Sequence, residues 1–239
     1  MKNKKFQIKT LNPWVKFPNL EKELQNSLTA EGFESAEIQD ILSKVKKLFP
    51  QLNKWYESVN IEWSIPRKKY KIRKVKMSKE EIGEGLEDLV HAALQSLGCK
   101  VDSSEIIILN APCEMKNNGI FKGKKFVFKR HFRTRDMVDF EGQNINIAIE
   151  VKNWDPKIPK SDHVVLSEIC KRFKKVRKKI RYLLIPGAPG GFPFTNKQRQ
   201  ILKQRRIKEI NLKEQLRWNN EKTVYKDVYS KMRQILSIC

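Results

Sequence analysis

The sequence predicts an α/β protein, with a mixed sheet built in the order α-β-β-β-α-β, flanked by helices and extended at both ends by basic helical segments. Three observations predict it. Residues 82–97 carry apolar side chains at helical spacing and stop at Gly98. Residues 137–152 alternate as two strands joined across Gly142. Residues 161–176 return to helical spacing, and Tyr182-Leu-Leu-Ile185 follows as a strand. The predicted organisation is a helical N-terminal extension at 1–77, a core at 78–190 and a helical C-terminal extension at 191–239.

In chain order, Leu20 to Leu28 suggests a first helix. Ser35 opens a second, with Ile38, Ile41, Leu42, Val45 and Leu48 on one face, ending before Pro50. The stretch from Pro66 to Lys76 holds seven basic residues in eleven and reads as a solvated linker or a phosphate-contacting strap. Ser78 and Glu81 form a capping box ahead of Ile82, Leu86, Leu89, Val90, Ala93, Leu94 and Leu97, and Gly98 supplies the helix stop. Ile106 to Leu109 is a short buried-strand candidate for the core, and Phe121 to Phe128 alternates around Gly123 as a hairpin candidate. Ser161 caps a helix carrying Val165, Ile169, Phe173 and Val176. Gly187 to Pro193 is a loop, and 195–238 reads as basic and largely helical.

Composition narrows function. Among 239 residues, 50 Lys and Arg face 27 Asp and Glu, a formal charge of +23. That excess favours a polyanion as partner, with nucleic acid ahead of a membrane surface. No apolar run reaches the ~18 residues of a membrane span, and the start of the chain lacks the apolar stretch of a secretion signal, so a cytoplasmic protein is expected. Cys99, Cys113, Cys170 and Cys239 are scattered without a C-x-x-C pair, which argues against a zinc ribbon or a clustered iron–sulfur site.

The segment Met137-Val-Asp-Phe-Glu-Gly-Gln-Asn-Ile-Asn-Ile-Ala-Ile-Glu-Val-Lys152 carries the chemistry. Glu150 and Lys152 project from one side of a strand, ~7 Å apart along it, while Ile147, Ile149 and Val151 take the other side. Pairing across the turn brings Asp139 towards Glu150. Two carboxylates and a nearby backbone carbonyl make a hard oxygen site suited to Mg2+. A lysine beside them can orient or deprotonate water and offset developing negative charge. That apparatus suits phosphodiester hydrolysis. The bare spacing is unspecific: with each charged type at ~6% of residues, chance supplies about one or two hits in a chain of this length. Asp102 with Glu114 and Lys116, and Asp139 with Asp155 and Lys157, also satisfy it. Only the Glu150 version lies on an alternating apolar strand.

On these residues the segment 78–186 resembles the PD-(D/E)XK nuclease superfamily. Met137-Val-Asp139 stands where the family's first acid falls, and Glu150-Val-Lys152 matches its acid-x-lysine step. Val138 stands where the superfamily's name has proline. Gly85 to Gly98 is similar to the first helix of archaeal Holliday junction resolvases and Mrr-type restriction enzymes, which carry a glutamate about three turns before a closing glycine. That position is Glu87, which lies at the edge of the helix's apolar face, whereas Glu84 should face solvent.

The resemblance implies a restriction-endonuclease-like fold and a Mg2+-dependent DNA endonuclease, with Mn2+ able to substitute, acting on duplex or branched DNA. Asp139 and Glu150 would hold the metal with the Val151 carbonyl as an extra ligand. Lys152 would serve the water nucleophile, and Glu87 would support the site. Cleavage would leave 5′-phosphate and 3′-hydroxyl ends. Two active sites are needed to cut two strands, which implies a homodimer. Lys68, Lys69, Lys71, Arg133, Arg135, Lys171, Lys174, Lys175, Lys178, Arg205 and Arg206 are the expected phosphate contacts. Asp136 reads as a partner of Arg133 or Arg135, and His163 as a cap-turn residue. The rival reading is a non-catalytic nucleic-acid-binding protein on the same fold.

Overall fold

The computed structural model describes residues 4–9, 17–48, 57–64, 69–76, 84–103, 106–109, 126–131, 136–154, 164–187, 194–217 and 220–237. Its elements begin with β1 (Lys4–Lys9), α1 (Phe17–Ala30), α2 (Ser35–Leu48), β2 (Glu57–Ser64), β3 (Lys69–Lys76), α3 (Gly85–Ser96), β4 (Lys100–Ser103) and β5 (Ile106–Leu109). They continue with β6 (Val127–Arg130), β7 (Phe140–Gly142), β8 (Ile147–Val151), α4 (Val164–Lys175), β9 (Ile180–Pro186), α5 (Asn196–Gln204), β10 (Ile207–Leu212) and α6 (Glu221–Ser237). The chain divides into two compact units, 1–83 with 105–110, and 84–104 with 111–239.

The first unit is not the helical extension that its charge suggests. It is a four-stranded sheet in the order β3-β2-β1-β5, on which α1 and α2 pack. The strands form because their residues alternate. Val59 and Ile61 of β2 are fully buried, whereas Lys71 and Arg73 of β3 are exposed between half-buried Tyr70 and Ile72. Residues 69–76 of the basic run are therefore a strand paired antiparallel with β2, with Ile61 opposite Ile72, rather than a linker; 66–68 lie outside the described residues. The two helices close over it with Leu24, Leu28, Ile38, Ile41, Leu42 and Val45. Gly32, at φ +81, makes the turn between them, a backbone region that side chains with a Cβ avoid. The strand at Ile106 to Leu109 also belongs here. It pairs in parallel with β1 and is not a core strand of the second unit. A short apolar run marks a buried strand but does not say which sheet takes it.

The second unit is an α/β structure around a mixed six-stranded sheet in the order β10-β9-β8-β7-β6-β4, flanked by helices. Strands β8, β9 and β10 run parallel; β7 runs antiparallel to both β6 and β8; β4 is parallel to β6. The segment after 190 is integral to this sheet, which corrects the expectation of an appended helical extension. Thr195 caps α5 with a reciprocal Gln198 capping box. Arg206, at φ 57, turns the chain into β10, which lies beside β9. The resulting strand–helix–strand crossover adds an edge that a count of basic residues conceals.

Both faces of β8 are buried. On one, Ala148 packs with Leu166, Ile169 and Phe173 of α4, Leu183 and Ile185 of β9, and Leu202 of α5. Ile147, Ile149 and Val151 point to the other and are equally enclosed. On the other helical flank, α3 packs against α6, where Ser96 Oγ and Tyr225 Oη hydrogen-bond at 2.9 Å. Ser78, Glu81 and Ser161, the residues read as helix caps, lie outside the described residues, as do 121–125 of the expected hairpin. No helix among the described residues is long and apolar enough to cross a membrane.

Candidate active site

The β7–β8 hairpin positions the first two acids. Phe140 pairs with Ile149, so continuing the antiparallel register by one residue sets Asp139 opposite Glu150. The turn leaves no room for side chains at Gly142, where a Cβ would lie 2.5 Å from the Ile145 carbonyl oxygen. It is pinned on both sides: Asn144 Oδ1 accepts from Val127 N at 2.8 Å, and Asn146 Oδ1 accepts from Lys179 N at 2.8 Å. At the open end, Asp139 Oδ2 accepts from Val151 N at 2.6 Å.

Like charges opposite one another on paired strands repel, and the site carries the cations to offset this. Lys152 Nζ lies 2.5 Å from Glu150 Oε1 and 3.8 Å from Asp139 Oδ2. Arg172 Nη1 lies 2.7 Å from the same Glu150 oxygen and 3.9 Å from Asp139 Oδ1. Glu150 is fully buried because α4 covers its side of β8. Its second oxygen, Oε2, is buried without a hydrogen-bond partner. Burial, and then the charge of Asp139, push the Glu150 carboxyl up to about 7 despite both cations. Burial pulls the Lys152 ammonium down, but the Asp139 and Glu150 charges outweigh it and hold the group above its ordinary value. Lys152 is thus a cation here, and its Nζ donates to the Val151 carbonyl at 3.1 Å. That carbonyl, the expected extra metal ligand, is engaged by the neighbouring lysine.

Glu87 sits at the boundary of its helix, its side chain 16% exposed. Burial, followed by the charge of Asp139, raises its carboxyl well above the ordinary range. It therefore shares the electrostatics of the same site. Glu84 is not solvent-facing: at the N-cap position of α3 it is 7% exposed. The face computed for the helix body does not extend to a cap residue. Among the described residues, no three His, Cys, Asp or Glu side chains gather to hold a metal ion.

Two arginines were not anticipated. Arg172 lies in the basic run Lys171 to Arg181. It is three residues after Ile169 and four before Val176, spacings that put it at the edge of the buried stripe. That periodicity was the available signal. Arg130, at the end of β6, is enclosed: Nη2 donates to Asp88 Oδ1 at 2.7 Å, Nη1 lies 3.3 Å from His91 Nδ1, and Glu87 Oε2 is 3.6 Å away. Its guanidinium also lies over the Phe140 ring, 5.6 Å from the centroid. Asp88 and His91 face it from α3, one turn apart.

The expected phosphate contacts divide. Lys171, Lys174 and Lys175 are exposed on α4, Arg205 and Arg206 are exposed beyond α5, and Lys178 is half-buried. Lys71 is exposed on β3, and Lys69 begins that strand. Lys68, Arg133, Arg135 and His163 lie outside the described residues. Asp136 pairs with Lys175 at 2.9 Å. Cys99 is buried, and Cys170 is half-buried against the core. In comparisons with known proteins, no family model, no curated protein and no solved structure matches the chain.

Proposed function

We propose that the second unit is a restriction-endonuclease-like core and that the protein is a metal-dependent DNA endonuclease. The observation that carries this reading is the meeting of Asp139, Glu150 and Lys152 at one hairpin end, with distances of 2.5 and 3.8 Å from the lysine to the two acids. The residues fit a hard divalent cation. Glu150 Oε2 is a buried oxygen with no hydrogen bond, and the Glu150 carboxyl is destabilised as an anion until further positive charge arrives. Mg2+ is commonly held by one or two carboxylates, with water and substrate phosphate completing its shell.

Asp139 and Glu150 would hold the ion, with the Val151 carbonyl joining once Lys152 releases it. Mg2+ bound there would supply Lewis-acid charge to the phosphoryl group and a lowered pKa to water. Lys152, already an ammonium, donates rather than accepts. Its part is to orient the attacking water and offset charge on the phosphoryl oxygens. Arg172 steadies Glu150 and adds positive charge beside the scissile group. Glu87 supports the site through Asp139. Exposed cations on α4 and after α5 grip the phosphate chain without reading bases. A homodimer in the cytoplasm, acting on duplex or branched DNA, completes the reading.

Incubation with plasmid, linear and four-way-junction DNA in Mg2+ or Mn2+ tests it. Cutting that disappears in Glu150→Ala supports the assignment. Binding without cutting in either metal would overturn the enzyme and leave a non-catalytic DNA-binding protein. Competition with RNA of the same length decides the nucleic acid.

A further inference from the structure

The second unit has a cavity of about 390 Å³ between α4 and α5. That is within the ~300–1,000 Å³ of small-ligand sites. Its apolar lining is Leu166 and Cys170 from α4 and Ile201 from α5. Lys171 and Lys174 line it from α4, and Arg205 from the end of α5. All three cations are exposed, and no acidic side chain is among the lining residues. Ser167 adds a hydroxyl.

This groove is separate from the acid–amine site. At ~100° per residue, the groove-lining positions of α4 centre nearly opposite Arg172, the residue that reaches Glu150. A ligand here would meet the cations of α4 without touching the carboxylates. The two halves of the lining ask for different things. The cations ask for a compact anion; the Leu166–Cys170–Ile201 floor asks for a flat, weakly polar body. Nucleotides are held by basic side chains on the phosphate and by aromatic or apolar side chains against the base; here the surface for the base is aliphatic and thiol.

We propose that the α4–α5 groove is a binding site for a nucleoside phosphate, with the phosphate at Lys171, Lys174 and Arg205 and the base against Leu166, Cys170 and Ile201. The nucleotide is either free or the phosphorylated end of a strand. The proposal does not depend on cleavage, and its test is run in EDTA, where metal-dependent cutting cannot contribute.

The readout is the rate of Cys170 alkylation by iodoacetamide, followed by peptide mass spectrometry in the full chain. Deoxyadenosine 5′-monophosphate should slow it about tenfold at saturation, and inorganic phosphate or deoxyadenosine alone should slow it far less. Charge reversal in Lys171→Glu/Lys174→Glu should weaken the protection about tenfold or more, since each change removes a charge-assisted contact. Ser167→Trp, on an exposed position of α4, should fill the groove and abolish nucleotide protection while the circular dichroism spectrum stays that of the parent. A 5′-phosphorylated oligonucleotide that protects at lower concentration than the mononucleotide, and better than its unphosphorylated twin, assigns the site to strand ends. Protection by the mononucleotide alone assigns it to free nucleotide. No protection by either, or protection that survives both variants, overturns the proposal.

Discussion

Two charged clusters lie within the second unit, and they are built differently. Around Arg130 the charges offset one another: the wholly buried guanidinium meets Asp88, His91 and Glu87, although Arg130 Nε and His91 Nε2 are themselves buried without a hydrogen bond. Around Glu150 the offset falls short. Lys152 and Arg172 both crowd onto Oε1, while Oε2 stays buried without a hydrogen bond. The Glu150 carboxyl is pushed up to about 7 in spite of them. A balanced cluster holds a fold together; an unbalanced one stores unfavourable electrostatics that a ligand can relieve. Strained protonation of this kind gathers at functional sites.

Removing Arg130 should break this contrast most severely. Arg130→Ala takes the guanidinium away from the fully buried Asp88, and should cost about 3–5 kcal/mol in urea denaturation. An effect no larger than that of a surface substitution would mean that the cluster is not balanced. Next in size is Gly142→Val, which forces side-chain atoms onto the Ile145 backbone. A loss of about 2–3 kcal/mol is expected, together with loss of any cleavage, because the hairpin sets Asp139 opposite Glu150.

The Glu150 cluster should behave in the opposite sense. Glu150 keeps its proton in the native protein up to about 7, against an ordinary value of 4.5. The native state therefore binds more protons than the unfolded chain across that interval. In EDTA, the contribution of Glu150 to stability should be fullest below about 4.5 and be lost, by a few kcal/mol, as pH rises through about 7. Glu150→Gln should flatten that slope and melt higher than the parent at mildly alkaline pH. A parent melting temperature that rises across the same window would refute the assignment. Mg2+ should raise the parent's melting temperature and leave that of Glu150→Gln nearly unchanged. Smallest of all is Lys175→Ala. Its pair with Asp136 is exposed on both sides, so the denaturation midpoint should not move measurably.

How much of this was legible in the sequence depended on whether local alternation or distant pairing decided the outcome. Asp139, Glu150 and Lys152 were legible because strand periodicity and one glycine turn fix their register. The helix at 164–175 and the strand at 180–186 were legible for the same reason. Arg172 was hidden by its neighbours: a run of cations reads as a solvated ridge unless each is placed on the wheel. Arg130 was hidden because its partners Asp88 and His91 are some forty positions earlier, on another element. The strands of the first unit carried a clear alternation, Val59-x-Ile61 and Tyr70-x-Ile72, which the density of charge obscured. The placement of Ile106 to Leu109 beside Lys4 to Lys9 was not legible, since nothing local selects a partner about a hundred residues away.

That strand has a consequence for how the polypeptide is made. Segment 105–110 leaves one unit to complete the sheet of the other, and the chain then returns. The first sheet therefore cannot finish during synthesis until the residues that open the second unit have left the ribosome. Severing the chain near residue 80 would yield a fragment whose β1 edge is bare, a template for pairing with other chains. The two units are stitched by more than a single joint, so neither is a detachable cassette.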